Sequence, residues 1–458
     1  FIQGVQPSFD LGINKISTSP YLAIGNNDIV GIIKNYGSST INSVKVNYSI
    51  NGGAVASDSL TGISIAPLAT YTFTHSIPWT STAPGAYTVN CYATEINGSN
   101  ADQNNVNDSA SKVLNILLSI EQRIPLFEIF TGSTCPPCLP GNTNFHGIVD
   151  TIDQNNFVSL KYQQNFPGTG DPYTTVESTN RRSTYYGINS IPRMENDGGW
   201  DGNANSFTYA LYQDARAVPA SFILNGTFTS DTINRTYSAK IKYSPLFNST
   251  STRLNVVIAE KTTSLNVKTN GETAFFHVMK KMLPDETGTL LPSMTAGTWD
   301  STTITYSFNG NYRLPTNGQA ANIIDNSFEH SVEEFADLTM MGWLQADDGT
   351  KQVFQAANFV EEMITGIYSM NKSVNSILIY PNPAKEVASV EIMLTASEKL
   401  SLKLMDAEGR TLEIKQVNGQ TGINKAQFDV SQLAAGYYHI AVSDAKNNSF
   451  VRRIVVVK

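Results

Sequence analysis

Cysteine is scarce in this 458-residue chain: there are three, and only Cys135 and Cys138 stand close enough in sequence to pair by spacing. No second Cys-x-x-Cys and no His-x-x-x-His accompanies them, which argues against a four-ligand zinc site. Charge is scarce as well. Asp, Glu, Lys and Arg together make up 15% of the residues, the net charge is −8, and basic residues cluster no further than isolated pairs such as Arg181-Arg182 and Arg452-Arg453. This balance argues against nucleic acid or an anionic membrane as partner. No apolar run reaches the roughly 18 residues that a transmembrane helix needs. The sequence starts at Phe1 and not at Met, so a signal peptide is expected to have been removed already.

What the chain does have is Ser, Thr, Asn and Gly, with Val/Ile/Tyr/Phe runs between Asn-Gly and Asp-Gly turns. That pattern predicts a multidomain, mostly β fold with one α/β domain, and the length calls for about three or four domains. Residues 1–116 read as a β-sandwich with strands at Ile29 to Lys34, Val44 to Ile50, Ala69 to Thr74 and Tyr87 to Thr94, and a hairpin turn at Asn51-Gly-Gly53. Val89, Cys91 and Ala93 share one strand face, so Cys91 reads as a small buried hydrophobe. The polar run Asp102 to Asp108 offers hard oxygen donors for calcium or is a solvated turn. The module resembles the cell-adhesion-related immunoglobulin-like modules of bacteria, which bind or act as spacers.

The stretch richest in chemistry is Thr131-Gly-Ser-Thr-Cys-Pro-Pro-Cys138. An apolar run, Ile124 to Phe130, precedes it; Phe145, Ile148, Val149 and Ile152 follow at helical spacing. Cys135 is thus predicted at a helix N-terminus, where unpaired N–H groups and the helix dipole favour the nucleophilic thiolate. Pro136 and Pro137 donate no hydrogen bond to its sulfur, which leaves Cys138 N–H and the dipole. Pro140 with Gly141 is predicted to kink or interrupt the helix after its first turn. His146 reads as a helix surface residue.

Together with Tyr186-Gly-Ile-Asn-Ser-Ile-Pro-Arg193, the Cys-x-x-Cys resembles the thioredoxin superfamily. The resemblance implies that Pro192 is a cis-proline facing the cysteines, with Ile191 before it lending its backbone to an extended substrate. Glu128-Ile-Phe-Thr-Gly132 and Tyr185-Tyr-Gly187 are similar, more narrowly, to the outer-membrane-protein-28-related family of thioredoxin-like surface proteins, which implies a helical insert over Thr174 to Tyr186. Glu128 is either the buried proton acceptor under the cysteines or an ordinary strand-edge Glu. The thioredoxin-like domain is assigned to 118–218, with a hairpin at Asp197-Gly-Gly199 and a last helix near Phe207 to Ala217.

Residues 219–362 return to strands and are assigned to a β-sandwich, in which His277 reads as packed or cross-strand bonded. Residues 363–375 read as a linker. Over 376–458, Ile379-Tyr-Pro-Asn-Pro-Ala384, Leu404-Met-Asp-Ala-Glu-Gly409, Leu433-Ala-Ala-Gly-Tyr-Tyr438 and the ending Arg452 to Lys458 resemble a type A C-terminal sorting domain of type IX secretion. Physically this is a small Ig-like sandwich, with alternation in Leu400, Leu402 and Leu404.

The resemblance implies export across the outer membrane to the cell surface or medium, the secretion translocon as partner, and cleavage within about ten residues of Lys372. Asp-Ser/Thr-apolar triplets place candidate O-glycans on Ser59, Ser109, Thr151, Thr232 and Ser301. Thr151 is the weakest of them, because it is predicted on a helix with Ile152 on the buried face. Two functions stay open. Either Cys135 attacks and Cys138 resolves in a thiol–disulfide oxidoreductase acting on an unidentified protein disulfide, or a structural Cys135–Cys138 bridge holds a scaffold for a surface adhesin. No cofactor beyond the redox disulfide is implied.

Overall fold

A computed structural model describes residues 6–362, 374–406, 409–444 and 449–458. The expected linker and Lys372 lie outside the described residues, except that residues 374 and 375 open a strand, Val374–Tyr380. The chain forms two compact units, residues 1–361 and 362–458.

The first unit begins with a sandwich. A three-stranded sheet of Leu11–Ile16, Val30–Asn35 and Thr70–Thr74 faces a five-stranded one that includes Ile41–Ile50, Val55–Ile65, Gly85–Thr94 and Ser109–Leu117. Asn51 and Gly52 both take positive φ (49° and 71°), the geometry that a tight hairpin with the right-handed twist of its strands requires. Cys91 is fully buried opposite Tyr48, among Val46, Val89 and Ala93; burial pushes its thiol up to about 12.

The centre of the unit is built from β1 (Leu126–Thr131), α1 (Cys138–Val149), β2 (Val158–Gln163), α2 (Val176–Asn180), β3 (Arg193–Asn196), β4 (Trp200–Gly202), α3 (Tyr209–Ala217), β5 (Thr252–Thr263), β6 (Phe275–Leu283), β7 (Leu338–Ala346) and β8 (Val353–Asn358). The strands join in one sheet, ordered β4-β3-β1-β2-β6-β5-β7-β8. β1 and β2 run parallel, and β2 meets β6 in parallel at Lys161 and Val278. The expected division at 218/219 therefore cuts through a single sheet, and this is a correction. A boundary is read from local composition, whereas a parallel pairing across so many residues leaves no local trace.

Alternation along β1 sends its side chains to two cores. Phe127 and Ile129 pack with Phe145 and Val149 of α1 and with Phe207 and Tyr212. Leu126 and Phe130 pack with Tyr162, Val257, Met341, Trp343, Val353 and Ala356. Because the latter partners sit on β5, β7 and β8 of the same sheet, the sheet curls over itself; Val353 N–H closes the curl by donating to Asp197 O at 2.9 Å. A four-stranded sheet (Asp300–Ser307, Thr236–Pro245, Phe222–Asp231, Val360–Glu361) covers the other face of β5 and β7, burying Phe222, Ile241, Leu254, Val256 and Met340. Four strands of the sandwich expected over 219–362, β5 to β8, thus belong to the central sheet.

The expected insert forms α2, capped reciprocally by Thr175 and Ser178, and runs on as a π-helical turn, Arg181–Tyr186, that ends at Gly187 with φ 74°.

In the second unit Val374–Tyr380, Val387–Leu394 and Gly422–Asp429 face Thr411–Gly419, Glu398–Met405, Gly436–Ser443 and Ser449–Val456. Leu400, Leu402 and Leu404 are buried against Val390, Ile392, Phe428 and Ile454. Gly409, which closes the Leu404-Met-Asp-Ala-Glu-Gly409 stretch, takes positive φ, 80°. Asn382 accepts Val455 N–H on Oδ1 at 2.8 Å and donates from Nδ2 to Arg453 O at 3.3 Å. Ala384 exchanges backbone bonds with Val455 and Val457. The Tyr-Pro-Asn-Pro-Ala stretch is thereby a clasp on the final strand.

Candidate functional site

Cys135 and Cys138 are joined in a disulfide, and both residues have 0% exposure, while Pro136 and Pro137 between them are exposed. The helix starts at Cys138 and not at Cys135, which corrects the sequence reading. Cys135 lies in the preceding turn, and Cys138 N–H donates to Cys135 O at 3.0 Å. Two prolines before Cys138 delay helical hydrogen bonding by a turn. Pro140 does not interrupt α1, because in the first turn its missing N–H has no intrahelical acceptor to lose.

The Ile191–Pro192 bond is cis, and Pro192 is buried beside the first turn of α1. A β-carbon on Gly141 would come within 3.4 Å of the Pro192 ring and 3.2 Å of Ala204, so glycine is what lets the helix pass this close. Ile191 packs towards the core inside the curl, with Ile188 and Tyr186.

The turn before the cysteines is clamped by the loop that follows β5. Thr269 and Asn270 N–H groups both donate to Ser133 O, at 3.0 and 2.9 Å. Asn270 Nδ2 reaches Gly132 O at 3.2 Å and Glu272 at 2.5 Å. Glu272 also accepts from Asn142 Nδ2 at 2.7 Å. From the other side Asp171 accepts Ser133 N–H at 2.9 Å and binds Asn266 of the same loop. Burial raises the carboxyls of both Asp171 and Glu272. Sequence reading missed these four residues, since none has a characteristic offset from the cysteines.

Glu128 is neither a strand-edge residue nor a proton acceptor under the cysteines. β1 is interior, and alternation turns Glu128 away from α1 into the curl. There it pairs with Arg181 through two bonds, Nε at 2.8 Å and Nη2 at 3.0 Å, and accepts from Tyr162 at 2.7 Å and from Tyr186. The Arg181 guanidinium stacks over Tyr185 at 4.0 Å, also bonds Gln345, and is fully buried.

Beside Glu128 on β3, Glu195 stands opposite Asp201 of β4. Burial, then Asp201, then Glu128 push the Glu195 carboxyl up to about 8. A carboxyl whose pKa is higher folded than unfolded costs stability once ionised. The cost is absent below its unfolded value of about 4.3 and grows as pH rises towards the folded value. Glu195→Gln is therefore expected to melt with the parent at pH 4 and at least ~2 °C above it at pH 8.5, as read from thermal unfolding curves.

His146 is half-buried and not on the open surface: its ring bridges Asp150 (3.2 Å) and the buried Lys161 (2.9 Å), and burial lowers it. His277 bonds Ser159 Oγ at 2.7 Å across β2 and β6. Of the calcium candidates, Asp102 accepts from Leu11 and Asn104 N–H groups. Asp108 is raised to about 6, by burial first and then by Asp102. Among the described residues no group of three or more His, Cys, Asp or Glu is placed to hold a metal ion. The five glycan candidates, Ser59, Ser109, Thr151, Thr232 and Ser301, are all exposed. α1 ends at Val149, so Thr151 lies in the turn beyond the helix and not on it.

Residues 378–457 match the family described as secretion system C-terminal sorting domain. The chain is accordingly a type IX export substrate, addressed through this domain to the secretion machinery and carried across the outer membrane to the cell surface or extracellular space. Among the described residues no helix is long and apolar enough to cross a membrane. No curated protein matches the chain. Among solved structures it is similar to HBP35 of Porphyromonas gingivalis, at 12% identity and a TM-score of 0.42, over 74% of this chain and 99% of that one. A protein of Agrobacterium tumefaciens is similar at 13% and 0.34, over 54% and 97%. The CARDB domain of the PF1109 protein of Pyrococcus furiosus is similar at 24% and 0.21, over 24% and 97%. Likenesses of this size carry no functional argument.

Proposed function

We propose that the exported protein works at the cell surface by binding, on a thioredoxin-like scaffold whose Cys135–Cys138 bridge is structural and shielded. The observation that carries this reading is the complete burial of both cysteines, which follow directly on the clamped 132–134 turn. Thiol–disulfide exchange needs an incoming thiolate to reach a sulfur, and here neither is accessible. The expected result is that, after treatment with dithiothreitol and its removal, maleimide labels no cysteine of the folded chain, at least ~10²-fold protection, while three are labelled when the chain is unfolded in urea during the reduction. Rapid labelling of Cys135 in the folded chain would overturn it.

A second reading, thiol–disulfide exchange with Cys135 as nucleophile and Cys138 as resolving thiol, is favoured by the packing of cis-Pro192 against the first turn of α1. Trapping a mixed disulfide on whole cells with Cys138→Ser is its test. The narrower outer-membrane-protein-28-related assignment rests on the same stretch. Calcium at Asp102 and Asp108 would make the melting temperature of the chain fall on chelation. Ser59, Ser109, Thr151, Thr232 and Ser301 are proposed glycan acceptors on the strength of their exposure; peptide mass spectrometry of surface material is expected to find hexose-bearing forms, and bare residues at all five would remove the idea.

A further inference from the structure

A cleft of about 380 Å³ opens between α3, the β3–β4 hairpin and residues 350–352, away from the cysteines. The charged residues of its lining are Arg123, Asp197 and Asp214, and no cation among them is free. Asn196 is 5% exposed; its Nδ2 donates to Leu211 O at 3.3 Å, while Oδ1 has no partner. Asp214, exposed on α3, is in no ion pair among the described residues. The guanidinium of Arg123 is spent: it donates to Ala215 O at 3.1 and 2.7 Å and to Val353 O at 3.3 Å, and pairs with Asp197 at 3.0 Å. Trp200 and Tyr21 add aromatic wall. The indole is fixed in place, since a β-carbon on Gly202 would sit 2.3 Å from it and Phe207 lies at 6.2 Å.

An anion would meet uncompensated Asp214 and no free cation. An apolar group would leave Asn196 Oδ1 buried and unsatisfied, which costs about as much as a lost hydrogen bond. A group that carries positive charge and several N–H donors on an alkyl stem answers all three features: the carboxylate, the orphan acceptor and the π-face. We propose that this cleft binds a primary alkylammonium group, with the ammonium between Asp214 and Asn196 Oδ1 and the alkyl stem along Trp200. Such a group is carried by a lysine side chain or by a free diamine.

The test is saturation-transfer NMR on the full chain with three probes: Nα-acetyl-lysine methylamide, its norleucine counterpart, and putrescine. Transfer to the lysine ε-methylene is expected, with none to norleucine at the same concentration. Asp214→Asn, an exposed change that spares the fold, is expected to weaken binding about fivefold, and Trp200→Leu about threefold. Putrescine binding as tightly as the lysine probe assigns the site to free amines; weaker putrescine binding assigns it to a protein lysine. Equal binding of norleucine, or Asp214→Asn without effect on a folded chain, overturns the proposal.

Discussion

Glu128→Ala is expected to destabilise the first unit by about 3–5 kcal/mol, seen as a large fall in the urea midpoint with unchanged slope. Arg181 is fully buried, so deleting its carboxylate leaves a guanidinium with no counter-charge inside the curl of the sheet. Tyr162, Tyr186 and Gln345 remain near it but supply no charge. Arg181→Ala is expected to cost a similar amount, because it strands Glu128 and removes the stack on Tyr185 and Trp343. The double change Glu128→Leu with Arg181→Met removes both charges at once and is expected to recover most of the loss. Such a recovery separates an ion pair that specifies packing from a catalytic carboxylate, whose loss would slow chemistry while barely moving the midpoint. A cost under about 1 kcal/mol for Glu128→Ala would mean that water reaches the pair.

The same residue shows what was legible in the sequence. That Glu128 lies on a strand before the cysteines follows from the apolar run around it. Which face it takes depends on what packs on either side, and the far side is built by β5, β7 and β8, more than a hundred residues later. Local periodicity carries no information about such partners. Cys135 and Cys138 were visible by spacing, as was Pro192 by its order after them. The turn that holds the cysteines was not, because Asp171, Asn266, Asn270 and Glu272 act by hydrogen bonds to backbone, for which many polar residues serve. Helix onset moved from Cys135 to Cys138 for a local reason, the Pro136-Pro137 pair. The second unit was the most legible part, since three of its strand pairs join sequence neighbours and its turns are marked by Gly409 and the prolines beside Asn382.

Deleting residues 376–458 is expected to abolish arrival at the surface and leave the chain in the periplasm. The match over 378–457 assigns the export address to that stretch, and its fold says how little of it can be spared. Ser449–Val456 pairs along the whole of Gly436–Ser443, and Ile454 and Val456 are buried in the common core. Burial of two such side chains contributes about 3–6 kcal/mol, a large share of what a sandwich of this size has in hand. Removing only residues 449–458 is therefore expected to block export as completely as removing the domain, because no folded unit remains to be recognised. Asn382→Ala takes away two bonds that clasp the final strand, at 2.8 and 3.3 Å, and is expected to cost about 1–2 kcal/mol and reduce surface arrival without abolishing it. Protease shaving of whole cells followed by fractionation reads all three variants. Surface arrival of the chain lacking 376–458 would refute the export route; normal arrival of the 449–458 deletion alone would show that a linear stretch, and not the folded sandwich, is what the machinery recognises.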